Sequence, residues 1–173
     1  MTATLPDAEA RARTYAEVAD HLESLLEGED DLIAAMATVV GELHNAFEYF
    51  HWTGFYRAVP DEAARMLVIG PYQGGHGCLR IAFDRGVCGA AARTRTTQLV
   101  PDVELFPGHI ACSSSTRSEI VVPVFAKDGA LLAVLDVDSD HEAAFTEVDQ
   151  QHLEAICRNL GDRFEANKKA AGS

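Results

Sequence analysis

The strongest constraint on what this chain can fold into is a pair of apolar runs, Glu119–Phe125 and Leu131–Asp138, joined across Lys127-Asp128-Gly129. The turn triplet predicts a hairpin, and Ile120, Val121, Val122 and Val124 favour extended backbone. Two strands alone do not make a stable unit, so further strands or covering helices are required. The chain supplies both.

Tyr15, Val18, Leu22, Leu25 and Leu26 recur at helical spacing, with Gly28 as a stop. A second helix follows Glu29-Asp30-Asp31, whose charges suit the positive end of a helix dipole. Its stripe is Leu32, Ile33, Met36, Val39, Val40 and Leu43. From Phe47 to Val59, the cluster Tyr49, Phe50, Trp52, Phe55 and Tyr56 reads as strand. Short strands are expected at Met66–Gly70 and Cys78–Phe83, with Gly74, Gly75 and Gly77 making a permissive loop between them. Ala90–Thr94 reads as a short helix opened by Arg85–Gly89, and a Pro-, Gly- and Asp-containing loop then leads to Cys112. Thr146 and Asp149 form a capping-box pattern before a helix striped by Leu153, Ile156, Cys157 and Leu160. The expectation is one α+β domain over residues 1–173, with a mostly antiparallel central sheet and the N- and C-terminal helices on one face. Residues 1–12 and 166–173 read as frayed tails.

Charge narrows the function. Fourteen basic residues against 27 acidic give a net charge of −13. Such a surface disfavours nucleic acid and anionic membrane as partners. The N-terminus lacks a basic segment followed by an apolar one, and the apolar runs are too short to span a bilayer. A soluble, cytoplasmic protein is therefore expected, and there thiols more often mean chemistry or metal than structural disulfides.

Four cysteines occur, Cys78, Cys88, Cys112 and Cys157. Cys157 lies on the apolar stripe of the last helix and reads as core. The other three stand beside glycine or in a polar loop, where a sulfur is accessible. Cys112 heads Ser113-Ser114-Ser115-Thr116, and His109 and Arg117 are near enough in sequence to favour a thiolate. Two explanations stand side by side: a thiol enzyme with a nucleophilic and a resolving cysteine, or zinc held by His76, Cys78, His109 and Cys112. Asp136 and Asp138 are two apart in a strand, so both point to one face, roughly 7 Å apart, with Leu132 and Val134. Glu119, at the start of the partner strand, falls across from that pair. A carboxylate cluster beside a reactive thiol suits a small substrate bearing an ammonium group.

The segments Gly70-Pro71-Tyr72-Gln73-Gly74-Gly75-His76-Gly77-Cys78, Arg85-Gly86-Val87-Cys88-Gly89, Gly108-His109-Ile110-Ala111-Cys112, Ser118-Glu119-Ile120-Val121-Val122-Pro123 and Leu135-Asp136-Val137-Asp138-Ser139 together resemble the free methionine-R-sulfoxide reductases, compact proteins built on a single GAF domain. The resemblance implies that Cys112 is the catalytic cysteine, Cys78 its disulfide partner, and Cys88 a third cysteine that relays or resolves. It implies that Glu119, Asp136 and Asp138 hold the substrate, with Trp52 and Tyr56 at the pocket. It further implies no metal, no bound cofactor, recycling by thioredoxin, and a homodimer as one possible assembly. The rival class is a GAF domain that senses a small molecule or redox state without catalysis. A sensor has no need of three loop cysteines, and a redox switch has no use for the three carboxylates.

Overall fold

The computed structural model describes residues 5–59 and 65–165. Two helices, α1 (Ala8–Leu25) and α2 (Leu32–Ala46), precede strands β1 (Trp52–Ala58), β2 (Met66–Gln73) and β3 (Arg80–Ala82). Helix α3 (Gly86–Thr94), strand β4 (Gln98–Val100) and a 3-10 turn (Val103–Leu105) follow. The chain closes with β5 (Ser118–Phe125), β6 (Leu131–Ser139) and α4 (Glu147–Gly161). The six strands form one sheet in the order β3-β2-β1-β6-β5-β4, and every neighbouring pair is antiparallel.

Strand alternation divides the molecule. Phe55, Ile120, Val122, Val124, Ala133, Leu135 and Val137 face a core covered by α1, α2 and α4. Tyr56, Val121 and Val134 face a second, smaller core with α3, including Val87, Cys88 and Ala91. Two apolar faces on one sheet need two covers, and the short α3 supplies the second. β4 pairs only with Glu119–Val121 of β5. Beyond that point β5 has a free edge, which is where Pro123, lacking an N–H, is tolerated.

Helix ends follow their chemistry. Asp7 and Asp31 accept from the N–H groups of Ala10 and Ala34, and Gly28, at φ +73°, turns the chain after α1. The Thr146–Asp149 capping box is present. Asp149 also pairs with Arg11 of α1 and accepts from Tyr15 and Tyr49 at 2.9 and 2.6 Å. This buried network ties the first helix to the last. The expectation of a frayed segment through residue 12 is corrected for residues 5–12, because Ala8–Ala12 are helical and Arg11 is 3% exposed. Residues 1–4 and 166–173 lie outside the described part.

Other expectations shift for tertiary reasons. Phe47, Tyr49 and Phe50 precede the strand and pack their rings in a turn against Tyr15 and Phe145. Leu25 and Ile33 are exposed although both belong to the helical stripes. β2 runs on through Pro71 to Gln73, β3 is shorter than Cys78–Phe83, α3 begins four residues before Ala90, and β4 occupies part of the expected loop. Leu132 does not share the face of Val134. A bulge opposite Val124 and Phe125 turns it toward the larger core.

Candidate functional site

The site lies on the α3 side of the sheet, where β1, β5 and β6 run together. Register brings its residues into line: Trp52 pairs with Asp138 and Gly54 with Asp136 on one side of β6. On the other side, Glu119 pairs with Asp138 and Val121 with Asp136. A side chain at Gly54 would collide with the Trp52 ring and the Tyr72 Cβ. Its absence lets Trp52 stack between Tyr56 and Tyr72, at centroid distances of 5.7 and 5.4 Å. The glycine-rich loop then lies close over these rings. Trp52 Nε1 donates to the Gly75 carbonyl at 2.9 Å, and an added Cβ at Gly77 would press on the Tyr56 hydroxyl.

That loop delivers Cys78 to Cys112, and the two are joined in a disulfide with Cα atoms 5.4 Å apart. The segment before Cys112 is anchored from below: Gly86, at φ +66°, donates its N–H to the Gly108 carbonyl at 3.1 Å and packs on Ile110. The sequence places Cys88 in an accessible loop, and the structure corrects this. Cys88 sits inside α3, 3% exposed, with its sulfur within 4.8 Å of carboxylate oxygens of Asp136 and Glu119. Burial pushes the Cys88 thiol up, and the charges of Asp136, Glu119 and Asp138 push it further. Cys157 is buried in the larger core, as its position on the helix stripe predicts.

Glu119 and Asp136 are buried and Asp138 is half-buried. Desolvation, reinforced by the other acids, holds Glu119 and Asp138 well above the usual carboxylate range. Burial pushes Asp136 up to about 7, against contacts with Cys88 and Glu119 that pull it back. Among the described residues, the one ion-pair partner of this cluster is His109, whose Nε2 lies 3.8 Å from Glu119 Oε2. Burial lowers the proton affinity of His109, so it is a poor counter-charge. Tyr56 is likewise raised, by burial first and Asp136 second. The outcome is a recess of three carboxyl groups whose ionisation is opposed by burial and by one another, with no Lys or Arg among the described residues to relieve it. Arg117, expected to assist Cys112, turns outward and pairs with Glu104 at 3.1 Å.

Two hollows meet at the disulfide. The inner one, ≈30 Å³, is bordered by Cys88, His109, Ile110, Glu119, Asp136 and Asp138. The outer, ≈520 Å³, reaches over Trp52, Gly75, His76 and Asp140. Cys112, Ser113, Thr116 and Asp138 border both. The fold thus gathers Trp52, Tyr56, Cys78, Cys88, Cys112, Glu119, Asp136 and Asp138, and leaves His76 at the rim. It adds Gly54 and Ile81, which carry no linear signal because only strand register and helix packing bring them here, and it puts Thr116, Val87 and Ile110 from the quoted segments on the walls of the site. Cys88, Glu119 and Asp136 bring donor atoms within 4.8 Å of one another, the spacing of a metal-ligand group. The zinc set read from the sequence, with Cys78 and Cys112, is not available in this form because both thiols are spent in the disulfide.

The sequence profile of the GAF domain matches residues 27–165, which defines the class of the fold. The GAF domain-containing protein A of Dictyostelium discoideum is 44% identical over 87% of this chain and 92% of its own length. A free methionine-R-sulfoxide reductase of Saccharomyces cerevisiae is 39% identical over 79% of this chain and 77% of its own. The crystal structure of the Neisseria meningitidis free methionine-R-sulfoxide reductase with its substrate superposes with a TM-score of 0.83 and 43% identity, covering 93% of this chain and 92% of that one. The chain belongs to the GAF-domain family of free methionine-R-sulfoxide reductases. No helix among the described residues is long and apolar enough to cross a membrane.

Proposed function

We propose that this chain reduces free L-methionine-(R)-sulfoxide to L-methionine by thiol chemistry. The observation that carries the reading is the Cys78–Cys112 disulfide beside three carboxylates that lack a Lys or Arg partner among the described residues. In the reduced form the Cys112 thiolate attacks the sulfoxide sulfur, and the oxygen is transferred to the Cys112 sulfur with a proton. A carboxyl of the cluster, held protonated near neutral pH, is the donor we assign. Methionine leaves, reduced by two electrons, and Cys112 is left as a sulfenic acid. The Cys78 thiol condenses with it, releasing water and forming the disulfide. An external dithiol of the thioredoxin type then reduces that bond. Cys88 keeps its proton and its place in α3, so we assign the first resolving step to Cys78 and leave Cys88 as a slower relay.

The inner hollow of the oxidised form has room for roughly one or two waters. An amino acid therefore enters after reduction, when Cys78 and its glycine loop withdraw from Cys112. Glu119, Asp136 and Asp138 receive the α-ammonium, which offers three donors and the missing positive charge. Trp52 and Tyr56 receive the side chain.

The test is to incubate reduced protein with methionine-R-sulfoxide and dithiothreitol and measure methionine. Product formation distinguishes this reading from a GAF sensor or a redox switch, and its absence would refute it. N-acetyl-methionine-R-sulfoxide keeps the sulfoxide but loses the ammonium. It should show kcat/KM lower by roughly a hundredfold or more, since the buried carboxylates are left unpaired. Equal kcat/KM for both compounds would remove the ammonium assignment.

A further inference from the structure

Cys88, Glu119 and Asp136 come from α3, β5 and β6, three elements brought together by the packing of α3 on the sheet. We propose that this trio is a binding site for a thiophilic divalent cation of the zinc class, and that occupation denies the same carboxylates to the substrate's ammonium. The second half rests on the function proposed above; the first does not.

Geometry supports the site. One donor atom from each residue lies within 4.8 Å of the other two. A tetrahedral zinc ion with bonds of about 2.0–2.3 Å places its ligand atoms roughly 3.3–3.8 Å apart. Side-chain rotation of modest size closes the difference. Asp136 Oδ1 is buried and has no hydrogen-bond partner, a lone pair with nothing to accept from. It borders the ≈30 Å³ hollow, as do Cys88 and Glu119, and that volume admits an ion with one water. His109 lines the same hollow and already leans toward Glu119, so its Nε2 or a water completes four-coordination.

The donor set selects the metal. Two carboxylates offer too few oxygens for calcium or magnesium, which take six or more oxygens or keep most of their waters, and a thiolate is too soft a ligand for either. Thiolate with carboxylate and imidazole suits zinc and its chemical relatives. Binding replaces the Cys88 thiol proton by the metal and releases that proton to solvent, with no change of oxidation state. The site also survives oxidation, since Cys88 is free while Cys78 and Cys112 are paired.

The experiment uses oxidised, chelator-treated full-length protein, freed of the chelator and titrated with cobalt(II), a spectroscopic stand-in for zinc, without substrate or reductant. One equivalent should bind, with a thiolate-to-cobalt charge-transfer band that added zinc abolishes. The Cys157→Ser protein should keep the band and Cys88→Ser should lose it. Glu119→Gln, which leaves the thiol in place, should weaken cobalt binding by about tenfold or more. A missing band in the wild type, or an undiminished one in Cys88→Ser, would overturn the site. In the Cys78→Ser, Cys112→Ser protein, which has no disulfide to close the site and no other thiol beside it, free methionine should raise the apparent Kd for cobalt, and its failure to do so would overturn the competition with the ammonium. Failure to release methionine in the separate assay with metal-free reduced protein would count against the catalytic reading alone.

Discussion

Replacing Asp136 by asparagine tests whether this recess stores electrostatic strain. The carboxyl moves from an ordinary 3.8 to about 7 on folding. Each tenfold change in proton affinity is about 1.4 kcal/mol, so ionised Asp136 costs the folded protein on the order of 4 kcal/mol above neutrality. The sign follows from the direction of the shift. A carboxyl whose folded value is raised binds more protons folded than unfolded, so its stabilising contribution is complete below 3.8 and is lost as pH rises through about 7. Roughly 3 kcal/mol of that loss accrues between about pH 5 and pH 8. Asparagine does not titrate. Glu119 and Asp138 remain in the variant and still cost stability as pH rises, so the signature is the difference between the two proteins. For a chain of this size, Asp136→Asn should gain roughly 5–10 °C in Tm relative to wild type on going from about pH 5 to pH 8. Thermal melts of both oxidised proteins at the two pH values, in chelator, measure it. The same gap at both values would refute the claim that burial of Asp136 opposes its ionisation. The variant should also bind methionine more weakly, because the strain is what the ammonium relieves.

Cys112→Ser should abolish methionine formation while Cys157→Ser leaves it nearly intact, and Cys78→Ser should release about one methionine per chain and then stall with thioredoxin; a product assay under single- and multiple-turnover conditions separates the three. Arg11→Ala leaves Asp149 buried without its cation and should cost about 3–5 kcal/mol in urea denaturation, with the kinetics of the folded fraction unchanged. Exhaustive chelation should leave the protein folded and methionine formation undiminished, checked by calorimetry and the same assay.

Local patterns in the chain determined a large part of this molecule. The β-branched runs on either side of Lys127-Asp128-Gly129 give the hairpin of β5 and β6, with Gly129 at φ +83° in its turn. The period of two in β6 puts Asp136 and Asp138 on one face, and helical spacing puts Cys157 in the core. These features depend on residues a few positions apart, and their physics is steric and local. The GAF-type resemblance rests on five separated segments, and the Cys78–Cys112 pairing that it implies is present.

Tertiary structure decided the rest. Cys88 is flanked by glycine in the sequence, yet packing of α3 against the end of β3 buries it; Gly89 fits there because any Cβ would meet the carbonyls of Ala82 and Phe83. Phe47, Tyr49 and Phe50 have strand composition, but rings from α1 and from the segment before α4 draw them into a turn. Arg117 adjoins the reactive loop in sequence and pairs with Glu104 in space. Arg11 finds Asp149 at the far end of the chain. In each case the deciding neighbour lies at a sequence distance that propensity and periodicity do not span, and a group's burial and charge partners are set by that neighbour.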